Sequence, residues 1–118
     1  MIINLPYPPS ELMPNRANGK HWATTSKIKA SCKLTAYLLT KNALKGINYP
    51  VGDTLPLVIT FAQSDKRKRD RDGLLSAAKH LLDGVAQALN IDDSQFEPIT
   101  IKRAYVNGES ATIIELGY

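Results

Sequence analysis

Residues Lys66-Arg67-Lys68-Arg69-Asp70-Arg71-Asp72 hold five cations in their first six positions and two carboxylates two positions apart. Cations attract a polyanion, whereas paired carboxylates repel one unless a metal ion lies between them. Together they suggest a metal-dependent site laid on a nucleic-acid phosphate backbone. Mg²⁺ takes oxygen ligands, usually one or two carboxylates, with water and substrate phosphate completing the shell. Asp70 and Asp72 can aim to one side if their backbone is extended, and such a site suits phosphodiester hydrolysis. There is a plainer reading of the same acids. Asp70 or Asp72 caps the helix that follows, and Asp92-Asp93 is an ordinary polar turn. The basic run likewise reads either as a phosphate-contacting loop, with salt-dependent binding, or as a solvated or targeting patch. Its place between a buried strand and a helix start argues against a loose tail.

Other residues extend these possibilities. Asp72, Ser76, Lys79 and Asp83 are spaced 4, 3 and 4, which puts them on one helical face. Lys79 could there stabilise charge developing at a phosphorus centre, or be a surface lysine on a polar stripe. Tyr7-Pro8-Pro9-Ser10 with Asn15, Arg16, Lys20, His21 and Trp22 places aromatics among cations. Such aromatics stack bases or wedge into a branch point, or Tyr7 and Trp22 simply pack on the core. Arg16 and Lys20 join the candidate DNA contacts, and His21 is either a base, a ligand or neither. There is no glycine-rich nucleotide loop and no His/Cys cluster for zinc, and no small-molecule cofactor is expected.

Positioning these residues requires a particular set of elements. Ile2 to Leu5 reads as a first strand, stopped by a proline-stiffened segment. Residues 10 to 23 form a loop long enough to suggest a role. A helix starts near Thr24-Thr25-Ser26 and stops at Gly46, with Ile28, Cys32, Ala36, Leu39 and Ala43 as its apolar face. Lys27, Lys29, Lys33, Lys41 and Lys45 fall around its other side, as a solvated face or a phosphate-facing one. Leu55 to Gln63 is a buried strand, and a second helix spans roughly residues 72 to 89. Gly84 lies inside it at a cost of about 1 kcal/mol against Ala, which marks a place of close packing. Strands 96 to 105 and 111 to 116 follow, joined by Asn107-Gly108 as a hairpin. Asp93 reaches the site only if the loop after the second helix folds back, or if a partner subunit supplies it. The predicted fold is one α+β domain over residues 1–118, β-α-β-α-β-β, its mixed sheet covered by two helices.

The totals agree with that picture. A chain of 118 residues with a net charge of +4 is one domain by length. Residues 1–52 carry seven Lys/Arg and one acid, against eight Lys/Arg and ten acids in residues 53–118. This asymmetry fits a polyanion-binding face with a local acidic site. A lone cysteine, Cys32, forms no internal disulfide and suits a reducing compartment. The apolar runs are shorter than a bilayer span and no signal peptide is read at the N-terminus, so a cytoplasmic protein without membrane contact is expected.

In order and spacing, four segments resemble the RusA family of Holliday junction resolvases, crossover junction endodeoxyribonucleases often encoded by phages or prophages. They are Leu5 to Ser10, Lys66 to Leu74, Leu82-Asp83-Gly84 and Asp92 to Phe96, and the resemblance spans nearly the whole chain. It implies a small homodimeric endonuclease that cuts four-way DNA junctions by paired symmetric nicks with Mg²⁺ or Mn²⁺, in DNA recombination and repair. Carried over by position, the acidic triad falls on Asp70, Asp72 and Asp93, with Asp92 beside it. Lys66, Arg67, Lys68, Arg69 and Arg71 then hold phosphate. Gly73 stands where the family often has Asn, and Ser76 where some members have a functional lysine. Whether Lys79 replaces that lysine stays open. A non-catalytic basic nucleic-acid-binding protein is the alternative that the residues alone allow.

Overall fold

The computed structural model describes residues 1–14 and 22–117, with side chains for all of these except residues 22–24. Asn15, Arg16, Lys20 and His21, and the side chain of Trp22, therefore lie outside the described residues. Four strands make one mixed sheet: β1 (Ile2–Pro6), β2 (Leu55–Gln63), β3 (Phe96–Tyr105) and β4 (Ala111–Leu116). The described α-helices are α1 (Trp22–Leu44), α2 (Arg71–Ala77) and α3 (Lys79–Leu89), with 3-10 turns at Ser10–Leu12 and Asp93–Gln95. The chain is an α+β domain, and alternation along its strands decides which face is covered. Ile3 and Leu5, Leu57, Ile59 and Phe61, and Ile114 and Leu116 enter one hydrophobic cluster with Cys32 and Ala36 of α1 and Leu74, Leu81 and Val85 of α2 and α3. The opposite sheet face presents Ile2, Asn4, Thr100, Lys102 and Glu115 to solvent.

The strand order is β1-β4-β2-β3. β4 runs antiparallel to both β1 and β2, whereas β3 lies parallel to β2. A parallel neighbour needs a crossover, and α2 and α3 provide it. This corrects the hairpin expected at Asn107-Gly108. The segment turns there, with Gly108 at φ 127°, but β3 and β4 do not pair, because β2 lies between them. The reason is burial. Thr112 and Ile114 are fully buried and Leu116 nearly so, so β4 takes an interior place, while β3, with Glu97, Pro98, Lys102 and Arg103 exposed, takes the edge.

Two helical expectations also change. The second helix is not continuous over 72–89. It breaks at Ala78 (φ −87°, ψ −2°), whose N–H is shared between the Leu74 and Leu75 carbonyls at 2.9 and 3.2 Å. On α1 the buried stripe runs through Thr25, Cys32, Ala36, Thr40 and Leu44, while Leu39 is 38% exposed and Ala43 exposed. Thr40 is tolerated there because its hydroxyl donates to the Ala36 carbonyl at 2.7 Å, which satisfies the buried polar group within its own helix. Gly84 does mark a close approach. A Cβ there would run into the Lys33 carbonyl oxygen and lie 2.8 Å from Ala36 Cβ, so α1 and α3 cross backbone to backbone.

Candidate functional site

The basic run leaves the end of β2 as an ordered loop. The buried Gln63 side chain donates to the Asp65 carbonyl at 2.9 Å and to the Arg67 carbonyl at 2.6 Å. The Asp65 carboxylate accepts from the Arg67 backbone N–H at 3.0 Å and from the Arg69 guanidinium at 2.8 and 3.2 Å. Arg103, across from Phe61 on β3, donates to the Arg69 carbonyl at 2.8 Å. These bonds tie down the loop backbone and leave Lys66, Arg67, Lys68 and Arg71 exposed. Arg69 is committed elsewhere. Besides its pair with Asp65, it stands over the Tyr7 ring at 5.6 Å. That hydrogen-bonded pair, with the Arg67 N–H, holds the Asp65 carboxyl below its usual range and raises Arg69 above its own. Tyr7 packs edge-on against Phe61, with centroids 6.4 Å apart, and burial raises its hydroxyl pKa.

The acids divide between two sides of this loop. Asp70 is the N-cap of α2, accepting from the Asp72 N–H at 3.4 Å. It lines a cavity of about 530 Å³ with Tyr7, Pro8, Met13, Arg67 and Lys68. Asp72, in the first turn of α2, lines a different cavity of about 400 Å³, shared with Ser76, Lys79, Asp93, Phe96 and Ile99. Asp93 gets there because the chain folds back after α3. Asn90 ends that helix in the left-handed region (φ 59°, ψ 45°), its N–H bonded towards Gln87. The Ile91 N–H bonds to the Ala86 carbonyl at 3.0 Å, a helix-ending pattern that turns the chain sharply. Asp92 then caps the 3-10 turn reciprocally with Gln95, setting Asp93 Oδ2 3.6 Å from Lys79 Nζ. One chain thus brings Asp72, Lys79 and Asp93 to one cavity, with Asp70 on the neighbouring one.

Lys79 also lies 3.7 Å from Asp83, and its side chain is 61% exposed, so these pairs are weak and easily rearranged. Asp92 and Asp93 differ in acidity. The Ser94 backbone N–H bonded to Asp92 lowers its pKa. Asp93 is raised, first by a hydrogen bond to the Asp92 carboxyl and then by desolvation, with Lys79 opposing. Among the described residues, no three His, Cys, Asp or Glu side chains stand together as a metal-holding group. Asp72 and Asp93 on one cavity nevertheless match the donor type and number that Mg²⁺ takes, one or two carboxylates with water and phosphate.

Residues that the sequence did not single out adjoin this site. A groove of about 540 Å³ runs between the basic loop and β3, lined by Lys66, Arg67, Arg71, Ile101, Arg103 and Tyr105 among others. Lys66 Nζ lies 5.6 Å from the Tyr105 ring centroid. The groove and the acidic cavity share no lining residue, but they draw on neighbouring positions: Arg71 and Ile101 line the first, Asp72 and Ile99 the second.

No protein-family model matches the chain. It is 34% identical over 95 residues to a protein of Xylella fastidiosa (strain Temecula1 / ATCC 700964) described as an uncharacterized protein; the match covers 80% of this chain and 61% of the relative. The chain therefore spans about three fifths of that relative's length. No described helix is long and apolar enough to cross a membrane.

Proposed function

We propose that this protein is a Mg²⁺-dependent structure-selective endodeoxyribonuclease that resolves four-way DNA junctions, a RusA-like resolvase acting as a homodimer in the cytoplasm. The observation that carries this reading is that Asp72, Lys79 and Asp93 line one cavity, while Arg71, next to Asp72 in the chain, lines a groove with Lys66, Arg67 and Arg103. A strand held by its phosphates along Lys66, Arg67 and Arg71 would have two carboxylates and an ammonium on the neighbouring cavity. The sequence resemblance supplies the substrate class, and a two-fold dimer gives one such site to each of two opposed junction strands.

Asp72 and Asp93 would hold Mg²⁺, or Mn²⁺ in its place, with Asp70 as the third acid that the resemblance names. When bound, the ion supplies Lewis-acid charge and a water made acidic enough to attack a phosphodiester. The other parts belong to the chain. The basic loop, fixed by Gln63 and Arg103, binds and orients the phosphate backbone. The exposed Lys79 ammonium, 3.6 Å from Asp93 Oδ2, would offset charge on the reacting phosphoryl oxygens. Leu82, Phe96 and Ile99 supply the apolar part of the cavity wall.

A second reading, a basic DNA-binding protein without chemistry, has its own observation. Asp70 and Asp92 both act as caps, as that reading requires. Cutting distinguishes the two. Incubation with a synthetic four-way junction and Mg²⁺ is expected to give paired nicks that EDTA abolishes. Junction binding without nicks at any Mg²⁺ or Mn²⁺ concentration would leave the second reading standing.

A further inference from the structure

We propose that Tyr105 is a stacking platform for one unstacked DNA base, so that the groove beside it favours branched or frayed DNA over continuous duplex. This rests on the reading of the basic loop as a phosphate-binding surface and is independent of what the acids do.

Tyr105 is the last residue of the edge strand and 55% exposed, so most of its aromatic surface is not spent on the core. It stands on the wall of the cation-lined groove. Parallel pairing puts it across from Gln63, the residue whose side chain ties down the basic loop. The strand bearing the ring and the loop backbone bearing the cations are therefore tied together before any ligand arrives, which lowers the ordering cost of binding. Lys66 Nζ lies over the ring, 5.6 Å from its centroid, as a cation–π partner; a base stacking on that face displaces this exposed ammonium, which then serves the phosphate of the same nucleotide.

An aromatic ring at a basic groove discriminates by strand state. Within a continuous duplex the faces of each base are covered by its neighbours, and the ring finds only phosphates and sugars. At a junction crossover or frayed end a base face is free, and stacking takes any base because all have one. Tyr105 is six residues along β3 from Ile99 at the acidic cavity, roughly 20 Å at 3.3 Å per residue. An unstacked base captured there registers the branch point against the acids at a set distance.

The test is binding in EDTA, measured by fluorescence anisotropy with a labelled oligo-dT strand and a labelled four-way junction, and by competition with an unlabelled relaxed circular duplex, which has no ends. Tyr105→Leu is expected to bind oligo-dT roughly 5- to 150-fold more weakly, the junction more weakly as well, and the duplex within about twofold of wild type. Tyr105→Phe, which keeps the ring, should retain most of the affinity. Equal losses on all three ligands, no loss, or a Phe variant as weak as the Leu variant would overturn the proposal. A strand carrying 2-aminopurine gives a readout on the wild-type protein alone: stacking quenches its fluorescence, and binding without quenching would also overturn it. Failure to cleave in Mg²⁺ with Tyr105 selectivity intact sinks the nuclease reading alone. Cleavage with an unselective Tyr105→Leu sinks this inference alone.

Discussion

Asp70 and Asp92 cap helical turns and Asp93 pairs with Lys79, and substitutions separate such local roles from a chemical one. Asp70 caps α2 through its side-chain oxygen, a role that Asn fills about as well. Asp70→Asn is therefore expected to keep stability within about 0.5 kcal/mol in urea unfolding while reducing junction cleavage, if Asp70 is the third acid of the site. Asp70→Ala should cost roughly 1 kcal/mol as well. Lys79 bridges Asp83 and Asp93 from an exposed position, so Lys79→Met should hardly change stability. Its effect should fall on turnover, about 100-fold or more in kcat with KM little changed, if the ammonium stabilises the transition state. A change confined to KM would place Lys79 in binding. The Asp65 carboxyl is lowered chiefly by its hydrogen bond from Arg69. A carboxylate whose folded pKa is depressed adds stability above its unfolded pKa and loses it as pH falls through the folded one. NMR titration should accordingly find Asp65 ionising below the usual aspartate range, and Arg69→Gln should move it back up. An unchanged midpoint would dissociate the loop's order from this pair.

At the scale of elements, the two helical layers depend on a missing side chain. Gly84 permits α1 and α3 to cross where the Lys33 carbonyl, Ala36 Cβ and the Tyr37 nitrogen all crowd the position. Gly84→Ala would raise helix propensity by about 1 kcal/mol. Two of the three neighbours are backbone and cannot rotate away, so overpacking, typically ~1–3 kcal/mol, should win and lower the urea midpoint. A stabilised variant would show that the helices can separate freely. This glycine was legible in the sequence because it interrupts a clean apolar stripe. The break at Ala78 was not, since neither Pro nor Gly stands there and the helical pattern continues through it. The strand limits at Leu55–Gln63, Phe96–Tyr105 and Ala111–Leu116 were legible from β-branched and apolar runs. Their pairing was not. Asn107-Gly108 is a local turn signal, and it carries no information about β2 lying between the strands it joins.

The whole molecule explains why part of the candidate site escaped the sequence. Asp70, Asp72 and Lys66 to Arg71 are contiguous, and Lys79 is within helical reach, so they were found together. Arg103 and Tyr105 join them only through the parallel register that sets Phe61 against Arg103 and Gln63 against Tyr105, a contact between residues some forty positions apart. The fold-back of Asp93 was foreseen as one of two routes, and the turn at Asn90 to Gln95 takes it within a single chain. The resulting surface carries an exposed cation stripe and an acidic cavity, and on the proposed reading its affinity for DNA is expected to be strongly salt-dependent. Removing Lys68 and Arg71 together should reduce the slope of log K against log salt by about 2 on any duplex sequence; an unchanged slope would remove both from the contact surface. The account turns on whether the Asp72 carboxylate serves catalysis, and cleavage and binding of one four-way junction by wild type and Asp72→Asn test this side by side. The variant is expected to bind the junction at least as tightly, because a charge repelling phosphate is gone, while paired nicking in Mg²⁺ falls to the level seen in EDTA. Nicking by Asp72→Asn at the wild-type rate would contradict the account.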